Sequence, residues 1–387
     1  MDAFVLGSVR TPVGKRGGSL ANTRPDELLA LTLRELVTRT GTDPAAVDDV
    51  LVGCVNAVEE QGRNVGRLAV LEAGFPVSVP AVTMNRMCGS SQQAVNFAAQ
   101  AVMSGQQSLV IAAGVESMSR IPLGSDAGDS TPSPALTERY EFVNQGMAAE
   151  MIAEHWRISR REMDEFSVES HHRAARAWSE GRYAEECFPV VSDAAAGLLG
   201  RPGGDVRLAQ DEGVRAGTSI EKVSALAPAF KPDGRVHAGN SSQISDGAAA
   251  VLIGSAETAE RLGLRPRARV VATHVVGVDP IMMLHGVIDA TTGLLARTGL
   301  KADDVGLYEI NEAFASVVLA WERELKVPLD RVNVNGGAIA IGHPTGCSGA
   351  RLMTTLVHEM ARRDVRYGVQ AMCIGHGMAT ATLLERV

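Results

Sequence analysis

Residues 81–114 read AVTMNRMCGSSQQAVNFAAQAVMSGQQSLVIAAG. AVTMN is a short β-prone run. GSSQQAVNFAAQAVMSG is a helix of small, uncharged residues. SLVIAAG is an apolar strand ending in Gly. Cys88 stands between the first strand and the helix. The same alternation extends outward on both sides. Before it lie AFVLGSV (3–9), a β-rich run, PDELLALTLRELVTR (25–39), a helix opened by Pro and acids, and VDDVLVGCV (47–55), a strand. Strands alternating with helices predict an α/β fold on a parallel sheet.

The composition agrees. The 387 residues are 45% hydrophobic but only 4% aromatic, with 40 Gly. Ala, Val and Gly therefore fill the core, which suits closely packed α/β layers better than an aromatic-cored sandwich. A net charge of −8 excludes a general nucleic-acid surface but leaves room for a local cationic pocket. No apolar run reaches the roughly 18 residues of a membrane span. MDAFVLGSVRTPVG lacks the basic start and apolar stretch of a signal peptide. The five cysteines (Cys54, Cys88, Cys187, Cys347 and Cys373) form no CxxC pair and are odd in number. That predicts a reduced, cytoplasmic protein without a zinc site.

A second alternating block runs toward the C-terminus. RARVVATHVVGV (267–278) and GLYEI (306–310) read as strands. EAFASVVLAWEREL (312–325) and GCSGARLMTTLVHEMARR (346–363) read as helices. YGVQAMCIGHG (367–377) is a strand entering a Gly turn. Cys88-Gly89 and Gly346-Cys347 each stand at the mouth of a small-residue helix, which suggests two similar halves. Between the blocks, residues 115–245 lose the rhythm and are rich in Pro, Ser, Gly and charge. One clear helix stands there, MDEFSVESHHRAARAWSE (163–180), with Ser159 and Glu162 as its capping box. The expected units are an N-terminal half over 1–264, interrupted by a lobe at 115–245, and a C-terminal half over 265–387.

Four segments carry chemistry. Cys88 in NRMCGSSQQA lies at the positive end of a helix dipole, which favours a thiolate and lowers the pKa from roughly 8.5. A buried small residue is the plainer reading of that position. His343 in NVNGGAIAIGHPTGCSGAR sits in a Gly-rich loop before a helix. It reads as a proton acceptor or hydrogen-bond donor, or as a structural histidine. Cys373 in MCIGHGMA ends a strand at a Gly turn. Asn311 and Glu312 in EINEAFAS mark a strand–helix junction, where an N-cap and a first-turn acid are the plain alternatives.

Taken in order, NxxCGSS, NEAFA, GGAIAIGHPxGxSGAR and CIGxG resemble the signature of the thiolase family. The resemblance spans the chain, from VRTPVGKRGG (9–18) through NSSQISDGAAA (240–250) and GVDP (277–280) to the last strand. The wording of CGSSQQA and GNSSQISDGA is closest to degradative actinobacterial thiolases, including those handling steroid-derived acyl chains. The fold implied is α/β, a thiolase-like five-layered α-β-α-β-α arrangement of two similar halves with an inserted CoA-binding lobe.

The activity implied is ping-pong acyl transfer between coenzyme A thioesters. It is CoA-dependent cleavage of a 3-ketoacyl-CoA to acetyl-CoA, or propionyl-CoA, and a shortened acyl-CoA, or the reverse condensation. By position, Cys88 would be the nucleophile and Cys373 the acid/base. His343 would be proton acceptor and oxyanion donor, Asn311 would hold a water, and the Gly375 N–H would serve a second oxyanion site. Arg215 in DEGVRAG matches the position that meets the adenosine phosphates. Ser242 matches a pantetheine contact, and Phe230 lines that channel. No permanently bound cofactor and no metal are implied; acyl-CoA and CoA are the partners, in a homodimer or homotetramer, with no nucleic acid or membrane.

There are departures from the family pattern. His376 replaces a common Gly, giving CIGHG. Cys347 replaces a small residue and reads as buried. GVDPIMMLHGVIDA lacks the Pro pair of GP-x-PA, so the acyl-facing loop differs. FVNQGMAAE carries Asn144 and Gln145 where acetoacetyl-CoA-forming relatives have His, which leans away from that enzyme. Cys373 argues against a ketoacyl synthase. The joint presence of Cys88, Asn311, His343 and Cys373 argues against a catalytically silent scaffold subunit.

Overall fold

The computed structural model describes all residues 1–387. In chain order the elements are β1 (Ala3–Arg10), β2 (Gly14–Lys15), α1 (Pro25–Thr40), β3 (Asp49–Gly53), α2 (Val65–Glu72), β4 (Ala81–Met84), α3 (Ser90–Met103) and β5 (Leu109–Ser117). Next come α4 (Pro134–Thr137), α5 (Gln145–His155), α6 (Arg160–Ser179), β6 (Val190–Val191), α7 (Ala194–Leu198), β7 (Val206–Leu208) and α8 (Ile220–Ser224). The remainder is β8 (Ser245–Ser255), α9 (Ala256–Arg261), β9 (Ala268–Gly277), α10 (Gly286–Thr298), β10 (Leu307–Ile310), α11 (Ala315–Leu325), α12 (Ser348–Arg363), β11 (Tyr367–Ile374) and β12 (Met378–Arg386).

The strands form two half-sheets with the same wiring. One runs β4-β3-β5-β8-β1 and the other β10-β11-β12-β9. In each, a parallel pair (β3 with β5, β10 with β11) is followed by two antiparallel pairs (β5-β8-β1, β11-β12-β9). A short β1–β9 pairing, Phe4 with Arg269 and Val5 with Ala268, joins the halves. The sheet is thus mixed: the expected parallel pairing holds for β3 with β4 and β5 and for β10 with β11, and the other pairs are antiparallel. Antiparallel neighbours need no crossover helix. Here β12 turns straight back on β11 through residues 375–377, and β8 returns from a long insertion.

The layering follows from where the apolar faces go. α1 packs on the outer face of the first half-sheet in a core holding Leu29, Leu33, Val52 and Leu252. α10 and α11 cover the outer face of the second, with Val287, Leu294, Val318 and Trp321. α3 and α12 lie together between the sheets, sharing a core of Ala94, Ala98, Ala350 and Met353 with strand residues of both halves. That gives α-β-α-β-α. The central layer explains the Gly and Ala content. A Cβ on Gly349 would come within 2.1 Å of the Gln92 backbone nitrogen, so the two central helices meet backbone to backbone. Polar α3 side chains are absorbed there: Gln92 donates to the Gln370 carbonyl (3.1 Å), and Asn96 bonds Thr380 (3.1 Å) and Thr382 (2.7 Å).

Residues 118–244, between β5 and β8, carry α4 to α8 and the β6–β7 ribbon. The Ser159/Glu162 capping box on α6 is present. The segment also holds α5, which its sequence did not announce. No helix of the chain is long and apolar enough to cross a membrane.

Candidate active site

Cys88 sits in a tight turn between β4 and α3. Asn85 starts it: its side-chain oxygen accepts from the Met87 N–H (2.7 Å) and its amide donates to the Val55 carbonyl (3.0 Å). Met87 is held at φ 46°, a left-handed conformation costly for a non-glycine residue. Ser90 closes the turn by donating to the Met87 carbonyl (2.6 Å). Gly89 lets the turn approach the end of β11, since a Cβ there would lie 2.4 Å from Ile374 Cδ1. The Cys88 turn is therefore pressed against Cys373-Ile374-Gly375, from a segment far away in the chain.

The electrostatics of Cys88 differ from the sequence expectation. Burial pushes its thiol up to about 11, although the backbone N–H groups of Cys88 and Gly375 act on the sulfur in the opposite sense. The helix dipole does not produce a resting thiolate, because Cys88 is only 6% exposed and desolvation of the charge outweighs the donors. Burial likewise pushes Cys373 up to about 12, with the neighbouring Cys88 adding to the rise and the Asn311 amide opposing it. Both thiols therefore rest protonated.

His343 lies close by, fixed by its hydrogen bonds. Its Nδ1 lies 2.6 Å from Ser348 Oγ, and Ser348 donates its own proton to the Pro344 carbonyl (2.9 Å). Ser348 must therefore accept from the imidazole, which places the proton on Nδ1 and leaves Nε2 with a lone pair. Nε2 meets the Asn311 amide at 3.4 Å. Burial, then the charge of Arg351, lowers the His343 pKa to about 3, so the ring is neutral at physiological pH. Arg351 is itself 1% exposed and makes no side-chain hydrogen bond within the chain. Asn311 links the set, its amide directed at both His343 and Cys373, while its buried Oδ1 has no protein partner.

Two carboxylates that do no chemistry hold these loops. Glu312 accepts from Ser170 (2.7 Å), Asn333 (3.0 Å) and the Ile339 N–H (3.1 Å), pinning the loop that leads to His343. Glu116 accepts from the Val55 N–H (2.9 Å), Gln61 (2.7 Å), Thr345 (3.0 Å) and the Gly346 N–H (2.9 Å), tying the 343–347 loop to the 54–61 loop. Neither plain reading of the 311–312 junction holds: Phe314 is the N-cap of α11, and Glu312 is a buried clamp. Glu116, Ser348 and Arg351 were not singled out in the sequence. The only signal for Glu116 was an acid closing the apolar run LVIAAGVES.

The three expected CoA contacts do not gather at the cysteines. The Ser242 N–H donates to the Ala313 carbonyl (2.9 Å), which keeps it near the catalytic strand ends. Phe230 lies edge-on to Phe314 (6.1 Å) and covers Gly146. Arg215 is exposed at the rim of a cavity of about 360 Å³ lined also by His171 and Lys222.

The thiolase N-terminal domain model matches residues 3–257, and the thiolase C-terminal domain model matches residues 264–386. The chain belongs to the thiolase family. Its fold is that of solved thiolases: Bacillus anthracis acetyl-CoA acetyltransferase superposes with a TM-score of 0.90 at 36% identity, covering 100% of this chain and 99% of that one. Human mitochondrial 3-ketoacyl-CoA thiolase does so at 0.90 and 34%, with the same coverage. Among curated relatives, the steroid 3-ketoacyl-CoA thiolase FadA6 of Mycobacterium tuberculosis is 46% identical over 100% of this chain and 94% of its own. The 3-oxoadipyl-CoA/3-oxo-5,6-dehydrosuberyl-CoA thiolase of Escherichia coli is 44% identical over the whole of both. As a thiolase the chain is an acyltransferase, cleaving 3-ketoacyl-CoA with CoA or running the reverse condensation.

Proposed function

We propose that this thiolase works in the degradative direction through an acyl-thioester on Cys88. His343 Nε2 takes the Cys88 proton as the sulfur attacks the keto carbon of a 3-ketoacyl-CoA. The C2–C3 bond breaks, and Cys373 gives its proton to C2 of the departing enolate, releasing acetyl-CoA, or propionyl-CoA from a branched substrate. The Cys373 thiolate then takes the proton of a second CoA thiol, which attacks the acyl group. Cys88 leaves and recovers its proton from His343. The enolate oxygen is met by His343 and by a water held on Asn311. The carbonyl oxygen at Cys88 is met by the backbone N–H groups of Cys88 and Gly375. The observation that carries this reading is the Asn311 amide 3.4 Å from His343 Nε2, beside a Cys88 turn packed so tightly on the end of β11 that a Cβ on Gly89 would lie 2.4 Å from Ile374 Cδ1.

CoA would enter from the 115–245 lobe, which interrupts the N-terminal half (1–264) and is followed by the C-terminal half (265–387). Arg215 and Lys222 beside the smaller cavity suit the adenosine phosphates, and Phe230 and Ser242 suit the pantetheine arm. CoA is a substrate, and no resident cofactor is required. A homodimer is the assembly favoured. The outer edge of β4 is unpaired, Val82 on it is 42% exposed, and Val77 just before it is 81% exposed, an open apolar edge that a second copy can cover. All five cysteines are buried and unbridged, which suits the reducing cytoplasm.

The test is CoA-dependent cleavage of acetoacetyl-CoA and of a longer 3-ketoacyl-CoA, with mass spectrometry of the protein after acetyl-CoA treatment. The expected result is cleavage of both and a single acyl adduct at Cys88. CoA binding without cleavage or adduct would overturn the proposal.

A further inference from the structure

A second cavity, of about 660 Å³, opens beside the catalytic turn. Its walls include Leu136, Tyr140 and Phe142 from the segment leading into α5, Val278 and Pro280 from the loop after β9, and His376 from the turn between β11 and β12. It shares no residue with the cavity at Arg215.

Two lining residues, His376 and Val278, tie the cavity to the turn that carries Gly375. His376 directly follows Gly375, whose N–H reaches the Cys88 sulfur. Val278 is fixed to the same turn, its N–H donating to the Gly377 carbonyl at 2.7 Å. Gln145, at the start of α5, packs on the same turn, so close that a Cβ on Gly375 would lie 2.9 Å from its amide nitrogen. An acyl chain on Cys88 that passes Gly375 and His376 would enter this cavity.

His376 is held where few side chains settle. Its φ is 60°, within the left-handed region that histidine tolerates better than branched or bulky residues. The backbone therefore fixes where the imidazole goes, and it meets Phe142 edge-to-face with ring centres 5.9 Å apart. The lining contains no Lys, Arg, Asp or Glu. An acyl group ending in a carboxylate finds no fixed counter-charge there. The volume lies in the range of pockets that enclose a drug-sized ring system, well beyond what a two-carbon acyl group fills. Aromatic edges and prolyl and aliphatic side chains grip flat apolar faces. The imidazole and the Tyr140 hydroxyl offer hydrogen bonds to a neutral oxygen.

Resting on the thiolase reading above, we infer that this cavity takes the distal part of the acyl chain, that the preferred chain carries an uncharged carbocyclic ring bearing a ketone or hydroxyl oxygen, and that His376 is the specificity-determining residue.

The experiment compares kcat/KM for three CoA esters: acetoacetyl-CoA, a 3-ketoacyl-CoA ending in a fused two-ring ketone, and a 3-ketoacyl-CoA ending in a carboxylate. The ring ester is expected to be cleaved best. Leu136→Trp, at a side chain 39% exposed, fills the cavity without disturbing the catalytic turn. It should lower kcat/KM for the ring ester by about 10-fold or more and leave acetoacetyl-CoA within about twofold. His376→Gly, which keeps the backbone conformation, should lower the ring-to-acetoacetyl ratio by about 10-fold. Cleavage of acetoacetyl-CoA with no preference for the ring ester, a preference for the carboxylate ester, or equal losses on all esters in both variants would overturn this inference and leave the thiolase reading standing. Failure on all three esters by the unmodified enzyme would overturn both.

Discussion

Two helix mouths in the central layer invite comparison. α3 begins after Cys88-Gly89 and α12 begins after Gly346-Cys347, at corresponding places in two half-sheets that share the same wiring apart from β4. The two cysteines have opposite surroundings. Cys88 stands outside its helix, after a strained residue, with its sulfur facing the Gly375 N–H. Cys347 is the N-cap of α12 at an ordinary φ of −83°, and its backbone packs where a Cβ on Gly114 would lie. Burial pushes its thiol up to about 12, against the charges of Arg351 and Arg10 and with Glu116 adding to the rise. A cysteine at a helix mouth is therefore not reactive by position. In the proposed mechanism the first mouth would offer the nucleophile, and the second the base, His343, with the serine that orients it.

The comparison breaks most visibly at the cysteines themselves. Cys88→Ala should abolish the acyl adduct and lower thiolysis by roughly 10⁴-fold or more while leaving CoA binding intact. An adduct persisting on that variant, read by mass spectrometry, would remove Cys88 from its role. Cys373→Ser should still accept an acyl group on Cys88. It should slow exchange of the acetyl-CoA α-protons with deuterated water by about 10²- to 10⁴-fold, and unchanged exchange would show that another group moves the proton. Ser348→Ala removes the acceptor that fixes the His343 tautomer, so kcat should fall by about 10-fold or more with little change in CoA affinity. Equal activity would mean that Nε2 is free without Ser348. Cys347→Ala should leave thiolysis unchanged and cost about 1 kcal/mol of stability, measured by denaturant titration.

The pH dependence of stability sharpens the same contrast between buried neutral groups and surface charge. His343 is lowered to about 3, and burial lowers His171 and His358 to about 4. A histidine whose folded pKa is depressed contributes stability that is full above the unfolded value of about 6.5 and is lost as pH falls toward the folded value. Thermal stability should therefore begin to fall below about pH 6.5. Glu309 has the opposite sign. Burial raises it to about 8, with the Arg351 charge resisting, so its contribution is full below the unfolded carboxylate pKa and is lost as pH rises through about 8. Replacing Glu309 with Gln should flatten a melting-temperature profile between about pH 4.5 and pH 8, and an unchanged slope there would place the loss elsewhere.

Local pattern was enough for several features. Pro25 and the early acids start α1, Ser159 and Glu162 cap α6, and the apolar runs at 109–117 and 246–255 become buried strands. It failed where a decision needs distant partners. Strand alternation suggested a parallel sheet, because pattern carries no information on direction, and α5 went unread. The dipole argument for Cys88 considered one helix end and omitted the burial imposed by the β11 turn. Glu116 and Glu312 looked like a strand-end acid and a helix-start acid. Each proves a buried clamp, because the donors that satisfy it lie on other segments.

The residues that would perform the reaction, Cys88, Asn311, His343 and Cys373, were legible as four motifs in a fixed order, since short spacings around Gly and Pro encode tight turns whatever the rest of the chain does. Which thiol faces a base, that His343 carries its proton on Nδ1, and that His376 lines an uncharged cavity beside Gly375 were decided only by tertiary structure. Those facts depend on burial and on donors and acceptors contributed by segments hundreds of residues apart, which spacing along one chain does not specify.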